Sequence, residues 1–337
     1  MKIGRIVGVL IAALMLTAAS EPPPELARYF HGEAFDPGDF GWMRGGFAGA
    51  TPAEARTYAA VNAWLTACFE EGKAHTRDEL AAMGVQHADL ATMPPRDLRC
   101  DVVATAQSAA RERSATWAEF QQHVAEARPF ATSFLLALRL AEEMAMPRAA
   151  ASLEERILAR TIGEQVLRKA TDWGAGEMAD APRLSDGARA VLIAQLSVAM
   201  GERDFANTAW LKAEVAKDAW PTIARAGESG SMMAWLLVQH ADADPAFQLR
   251  ALRLMAPLAA RGEVNKRNYA YLYDRVMLKI SGKQRYATQV TCTAGKRVPL
   301  PLEDAAKMPA LRSEAGLEPL ADYIKSFDGF SPCPKAS

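Results

Sequence analysis

"DPAFQLRALRLMAPLAARGEVNKRNYAYLYDRVMLKISG", Asp244 to Gly282, spells out a helical hairpin. Asp244 offers a side-chain cap, and Pro245 stands in the first helical position, where its missing N–H has no partner to lose. Gly262 follows Arg261 as a left-handed stop does. Asn265 then caps a second helix, and Gly282 ends it. Within that second helix Ala270, Asp274, Met277 and Leu278 share one stripe, so a carboxylate sits among apolar groups. A buried carboxylate is costly unless paired. Arg275 points elsewhere on an ideal helix, so the partner of Asp274 is expected from another element: His240, Arg168 or the segment Gln284–Gln289.

The same punctuation extends in both directions. Upstream, helices are predicted over Leu153–Lys169, Ser185–Met200, Asp204–Lys217 and Ser229–His240, the last starting in "GESGS" with Ser229 or Ser231 as its cap. Downstream the period shortens. Tyr286, Thr288 and Val290 alternate, Ala294-Gly295 turns the chain, and Arg297–Leu300 returns with Pro299 marking an edge. Short helices around Ala306–Ala315 and Leu317–Phe327 close the sequence. Nearer the start, Thr51-Pro52-Ala53-Glu54 is a capping box, followed by helices over Pro95–Glu112, Ser114–Ala127 and Pro129–Met146. Pro147 breaks the pattern, and Ser152 with Glu155 opens a second capping box. The predicted fold is mainly α, an array of helical hairpins with one small C-terminal β-hairpin. The predicted organisation is a signal peptide over 1–20, an irregular arm over 21–50 rich in Pro, Gly and aromatics, an N-terminal helical region over 51–147 and a C-terminal helical domain over 148–337.

The first twenty residues carry a compartment signal. Lys2 and Arg5 precede an apolar or small run from Ile6 to Ala19, and small residues lead to Ser20. The run is short for a bilayer span, which takes roughly 20 residues. Export to the periplasm or medium is expected, with no membrane span after cleavage. Ser20 stands where a lipoprotein box needs Cys, so a lipid anchor is unsupported. Four cysteines follow in an oxidising setting: Cys68, Cys100, Cys292 and Cys333. Three pairings exist, and the short-loop choice is Cys68–Cys100 with Cys292–Cys333. The formal net charge of −1 gives no basic surface for phosphate, so no nucleic-acid partner is expected.

"GVQHADL" (Gly84–Leu90) and "LVQHADA" (Leu237–Ala243) share five letters, but their flanks differ. On a helix, Met233, Leu236, Leu237 and His240 form one stripe, so His240 ends an apolar face and looks inward. A single His-x-Asp offers too few ligands for a metal. Four would require His87, Asp89, His240 and Asp242 to meet, so neither metal nor cofactor is expected. Gly-x-Ser-x-Gly, Walker and Gly-x-Gly-x-x-Gly patterns are absent from the sequence.

"DFANTAWLKAEVAKDAWPT", "AWLLVQHADADPAFQ", "NYAYLYDRV", "GKQRYATQ" and "LRSEAGLEPLADY" together resemble an uncharacterised bacterial family of unknown function over about 153–323. The family pattern is Trp-Leu-x-x-Gln-His-Ala-Asp, then Asp-Arg-Val, then Tyr-Gly-Thr-Gln. Glu164, Gln165 and Arg168 match its acidic-Gln-x-x-Arg start, and Asn207, Lys212, Trp220 and Pro221 its next helix and turn. Gln239, His240, Asp242 and Gln248 match the centre. Asp274, Arg275, Gln284, Tyr286, Thr288 and Gln289 match the end, with Arg312 and Gly316 beyond. Ala287 replaces the usual Gly, a change read here as altering how closely a ligand approaches that segment. Only the His240 copy of VQHAD belongs to the pattern. The resemblance places a site and supplies no reaction. Two functions are expected of the chain: a helical binding or recognition protein holding a polar small molecule or envelope component, since helix arrays build concave surfaces and the polar residues are rich in amides and Arg, or a periplasmic hydrolase- or transferase-like enzyme. In the enzyme, His240 is acid/base with Asp242 or Asp274, and Arg275 or Arg168 holds an anion.

Overall fold

The computed structural model describes residues 21–91, 93–111, 113–148, 150–175, 181–328 and 333. The expected signal segment 1–20 lies outside them. The chain is mainly helical: α1 (Pro52–Ala82), α2 (Leu98–Arg111), α3 (Trp117–Met144), α4 (Leu153–Thr171), α5 (Asp186–Asp218), α6 (Ile223–Gln239), α7 (Pro245–Ala260), α8 (Lys266–Ser281), α9 (Met308–Glu314) and α10 (Leu320–Lys325). The sheets are two-stranded: β1 (Phe30–His31) pairs with β2 (Ala34–Phe35), and β3 (Val290–Thr293) with β4 (Lys296–Pro299).

The caps act as their sequence implies. Both capping boxes form, at Thr51/Glu54 and at Ser152/Glu155. Asp244 accepts from Phe247 N–H at 3.0 Å, and Asn265 from Arg267 N–H at 2.8 Å. Gly262 and Gly282 take left-handed φ of 75° and 68°.

Other boundaries move, for physical reasons. Ser114–Ala127 and Pro129–Met146 are one helix, α3, because buried Ala127, Ala131 and Leu138 continue one packed face through Pro129. Packing there outweighs the single hydrogen bond that proline removes. Ser185–Met200 and Asp204–Lys217 likewise merge into α5. Gly201 is no stop: a Cβ there would lie 2.8 Å from Asp101 Oδ2, so this glycine admits α2 close to α5. Helix α6 starts at Ile223 rather than in "GESGS", and it bends at Gly227, whose φ is 68°. Tyr286 and Thr288 are not strand residues, and the hairpin begins at Val290. The 21–50 arm is short 3-10 turns and β1–β2, and it is packed rather than loose. Leu26, Phe40, Trp42 and Met43 are buried, with Phe40 set edge-on to Phe120 at 5.4 Å.

Buried apolar residues form two clusters. One joins the arm, α1, α2 and α3 to Leu167 of α4 and Val191, Leu192 and Leu196 of α5. The other joins α6, α7 and α8 to Leu80, Ile157 and Leu211. Helices α4 and α5 therefore run through both. Cys68–Cys100 ties α1 to α2, and Cys292–Cys333 ties β3 to the C-terminal tail, which is the short-loop pairing. Both bonds fit an oxidising, extracytoplasmic setting. No helix among the described residues is long and apolar enough to cross a membrane.

Candidate functional site

Where α6 ends and α7 begins, His240 to Asp244 form a short corner facing α4 and α5. His240 is the C-cap of α6, and Asp244 is the N-cap of α7. The corner closes a cavity of about 380 Å³ whose wall also includes Arg168, Asp204, Lys212, Arg96 and Asp101. A larger hollow of about 850 Å³ lies beyond Asp101, but its lining is mostly apolar, and Asp101 is its one ionisable carboxylate. The smaller, more enclosed cavity is therefore the one with chemistry in its walls.

Behind the wall formed by Arg168 and His240 lies Glu164, fully buried on α4. Glu164 Oε1 is hydrogen-bonded to His240 Nδ1 and accepts from Arg168 Nε at 3.0 Å and Gln165 Nε2 at 3.4 Å. Arg168 Nη2 spans to both oxygens of Asp204, at 2.8 and 2.7 Å. One ligating atom from each of Glu164, Asp204 and His240 lies within 4.8 Å of the others. Glu164 Oε2 is buried without a partner among the described residues. Burial pushes Glu164 up, but the hydrogen bond and charge of His240, with Arg168 behind, hold it below the usual carboxylate range. Burial pushes Asp204 up to about 7, against Arg168 and with the nearby Glu164 adding to the rise.

A second layer fixes the corner. Asp242 accepts from Arg275 Nη1 at 3.0 and 2.9 Å and from Lys279 Nζ at 2.7 Å. Burial raises Asp242, and these two cations outweigh it, leaving it at about 2. Gln248 Nε2 donates to the carbonyls of Val238 and Gln239, each at 3.1 Å, so Gln239 contributes its backbone here. Asp244 accepts from Lys212 at 2.6 Å and Arg96 at 3.1 Å. The other VQHAD copy meets this half of the chain through Asp89 N–H, which donates to the Lys279 carbonyl at 2.8 Å, and through Val85 and Ala88, which pack on the second apolar cluster.

The expected residues thus fall into two places. Arg168, His240 and Asp242 line the cavity, with Gln165, Gln239, Gln248 and Arg275 behind them. Asp274, Gln284, Tyr286, Thr288 and Gln289 build a separate knot. Asp274 accepts from the N–H groups of Arg285 (2.8 Å), Tyr286 (2.9 Å) and Thr288 (2.8 Å), and from the Thr288 hydroxyl (2.9 Å). Its partner is thus the 284–289 segment, not a cation and not His240. Gln284 donates to the carbonyls of Gln289 and Leu300 and accepts from Gln289 N–H, and Gln289 Nε2 reaches the Thr288 hydroxyl. Ala287 sits inside this knot, buried, with φ 55°. A left-handed backbone explains why glycine is usual there, with no ligand required. The carboxylate that orients His240 is Glu164, not Asp242 or Asp274. Asp101 and Asp204 gave no sequence signal, because each lies inside a helix where an acidic residue reads as solvated.

Fold and site together define a mainly helical protein with a charged cavity at a helix corner. Residues 153–331 match the profile of a family of unknown function, DUF6624, and the chain belongs to that family. No curated protein and no solved structure matches the chain.

Asp101 predicts a pH dependence. Burial pushes it up to about 7, from roughly 3.9 in an unfolded chain. Between those values the native state holds the extra proton, so stability falls as pH rises from about 4 to 7. This group contributes a slope of up to about 1.4 kcal/mol per pH unit. Urea unfolding at pH 5 and pH 8 should show Asp101→Asn losing part of that slope. Parallel profiles for the two proteins would show that Asp101 does not titrate in this range.

Proposed function

We propose that the protein is an exported binding protein whose charged cavity holds a small polar molecule of the cell envelope. The observation that carries this is Asp101. It lines the cavity, burial raises it to about 7, and its carboxylate forms no hydrogen bond or ion pair with a described residue. A shielded carboxylate is stabilised by a donor, and an ammonium or hydroxyl group of a ligand would supply it. Lys212, paired with Asp244 but still partly exposed in the cavity wall, suits an anionic end of the same molecule. The two bonded cysteine pairs and the N-terminal leader pattern support export.

A thermal-shift screen of the mature protein against polar metabolites and cell-wall fragments tests this. A ligand at about 100 times its Kd stabilises by roughly 2.7 kcal/mol. That shift should shrink in Asp101→Asn and in Lys212→Met. A binder whose shift is untouched by both substitutions would place the ligand elsewhere.

The enzyme is the second reading, and the Glu164–His240 hydrogen bond favours it. A carboxylate on Nδ1 fixes the ring and leaves the other nitrogen for proton transfer at the cavity.

A further inference from the structure

We propose that Glu164, Asp204 and His240 bind one divalent first-row transition-metal ion, of the zinc class, at the wall of the cavity. The three side chains come from α4, α5 and the α6–α7 corner, and they offer ligating atoms within 4.8 Å of one another. Proximity of acids alone would carry little. The independent observation is Glu164 Oε2: an acceptor on a fully buried side chain, with no donor among the described residues. Its sister oxygen accepts from Arg168 and Gln165, which orients the carboxylate, and the ion would replace its hydrogen bond with His240 Nδ1, that nitrogen losing its proton to coordinate. A buried acceptor with no donor calls for a water or a cation.

Charge points to the cation. Ligating as carboxylates, Glu164 and Asp204 would bring two negative charges, and Arg168 returns one positive charge between them. A divalent ion carrying one hydroxide or one anionic ligand group balances the remainder. An imidazole with two carboxylates suits zinc or its neighbours better than magnesium or calcium, which prefer oxygen alone. Three protein ligands leave a tetrahedral ion one position for a cavity molecule. Arg168, bonded to both carboxylates, acts as the orienting partner that metal ligands ordinarily have behind them.

This deepens the proposed cavity-ligand reading, since the ion would hold one end of the bound molecule. It also makes His240 a ligand and not the proton carrier of the enzyme reading. The site can be tested without any organic ligand. The mature protein is stripped with EDTA and titrated calorimetrically with zinc chloride, with magnesium chloride as control. One zinc per chain is expected, with a raised Tm, and no comparable magnesium binding. Asp204→Asn and His240→Gln should each weaken zinc by about tenfold or more, a loss at least that of removing an orienting partner. The exposed His75→Gln should bind as the parent does. Glu164→Gln also removes a partner of the half-buried Arg168, so the cobalt(II) protein provides a second readout. Its paramagnetically shifted imidazole signal should be present in the parent and absent in His240→Gln. A folded parent that takes up no zinc overturns the site. So does zinc binding that persists undiminished in both variants, which would mark an adventitious surface ion. Either failure leaves the cavity-ligand reading to its own thermal-shift result.

Discussion

Asp274→Ala should destabilise the protein by roughly 3–5 kcal/mol, a loss of the size seen when a buried polar network is broken. The carboxylate is fully buried and is the shared acceptor of three backbone N–H groups and one hydroxyl. Removing it leaves those donors facing a small apolar gap, and each buried unsatisfied donor costs about 1–3 kcal/mol. Burial pushes the carboxyl above its usual range, and the N–H groups pull the other way, so Asn should be milder than Ala. Urea unfolding measures the loss, with Thr288→Val as a single-contact control near 1 kcal/mol. Cleavage by trypsin at Arg285, inside the knot, should accelerate in step. An Asp274→Ala change within about 0.5 kcal/mol of the parent would mean that water or the loop itself satisfies those donors.

Removing the Cys68–Cys100 bond by paired Ala substitution should cost about 3–4 kcal/mol on chain-entropy grounds, for a sequence separation of 32. Both cysteines are buried, and the next residue of α2 after Cys100 is Asp101. The loss should therefore loosen one wall of the cavity as well as the fold. Cys292 is exposed on β3, and its bond holds the C-terminal tail. Breaking that bond lets the tail fray without opening a core, so the same paired substitution there should cost less. Denaturation of the two double variants compares them. An equal or larger loss from Cys292 and Cys333 would show that the tail, not the α1–α2 staple, limits stability.

Much of this molecule is legible in its letters, because local chemistry decides helix ends. Asp244, Pro245, Gly262, Asn265 and Gly282 place a hairpin unaided, and even cysteine spacing suggests the pairing that forms. The misplacements share one cause. Separate helices are expected on either side of residue 128 and of residues 201–203, yet long-range packing runs each pair together as one helix. The site divides in the same way. His240 was found by its place at the end of an apolar stripe. Its partner Glu164 lies 76 positions away, and nothing local says that α4 turns that carboxylate toward the corner. Asp274 was rightly read as buried and paired, but a pattern cannot tell a catalytic carboxylate from one that pins a loop. Only its three N–H partners decide that.

Helix α5 carries a consequence for what counts as a unit of this protein. The family match begins at residue 153, yet Leu167, Val191, Leu192 and Leu196 beyond that point are covered by residues that precede it. A fragment cut at the family boundary would lay those side chains bare and invite aggregation. The stretch that is inherited as a block is therefore smaller than the stretch that folds as one. Asp101 on one side of the boundary and His240 on the other face a common cavity only when both halves have docked on the same helix.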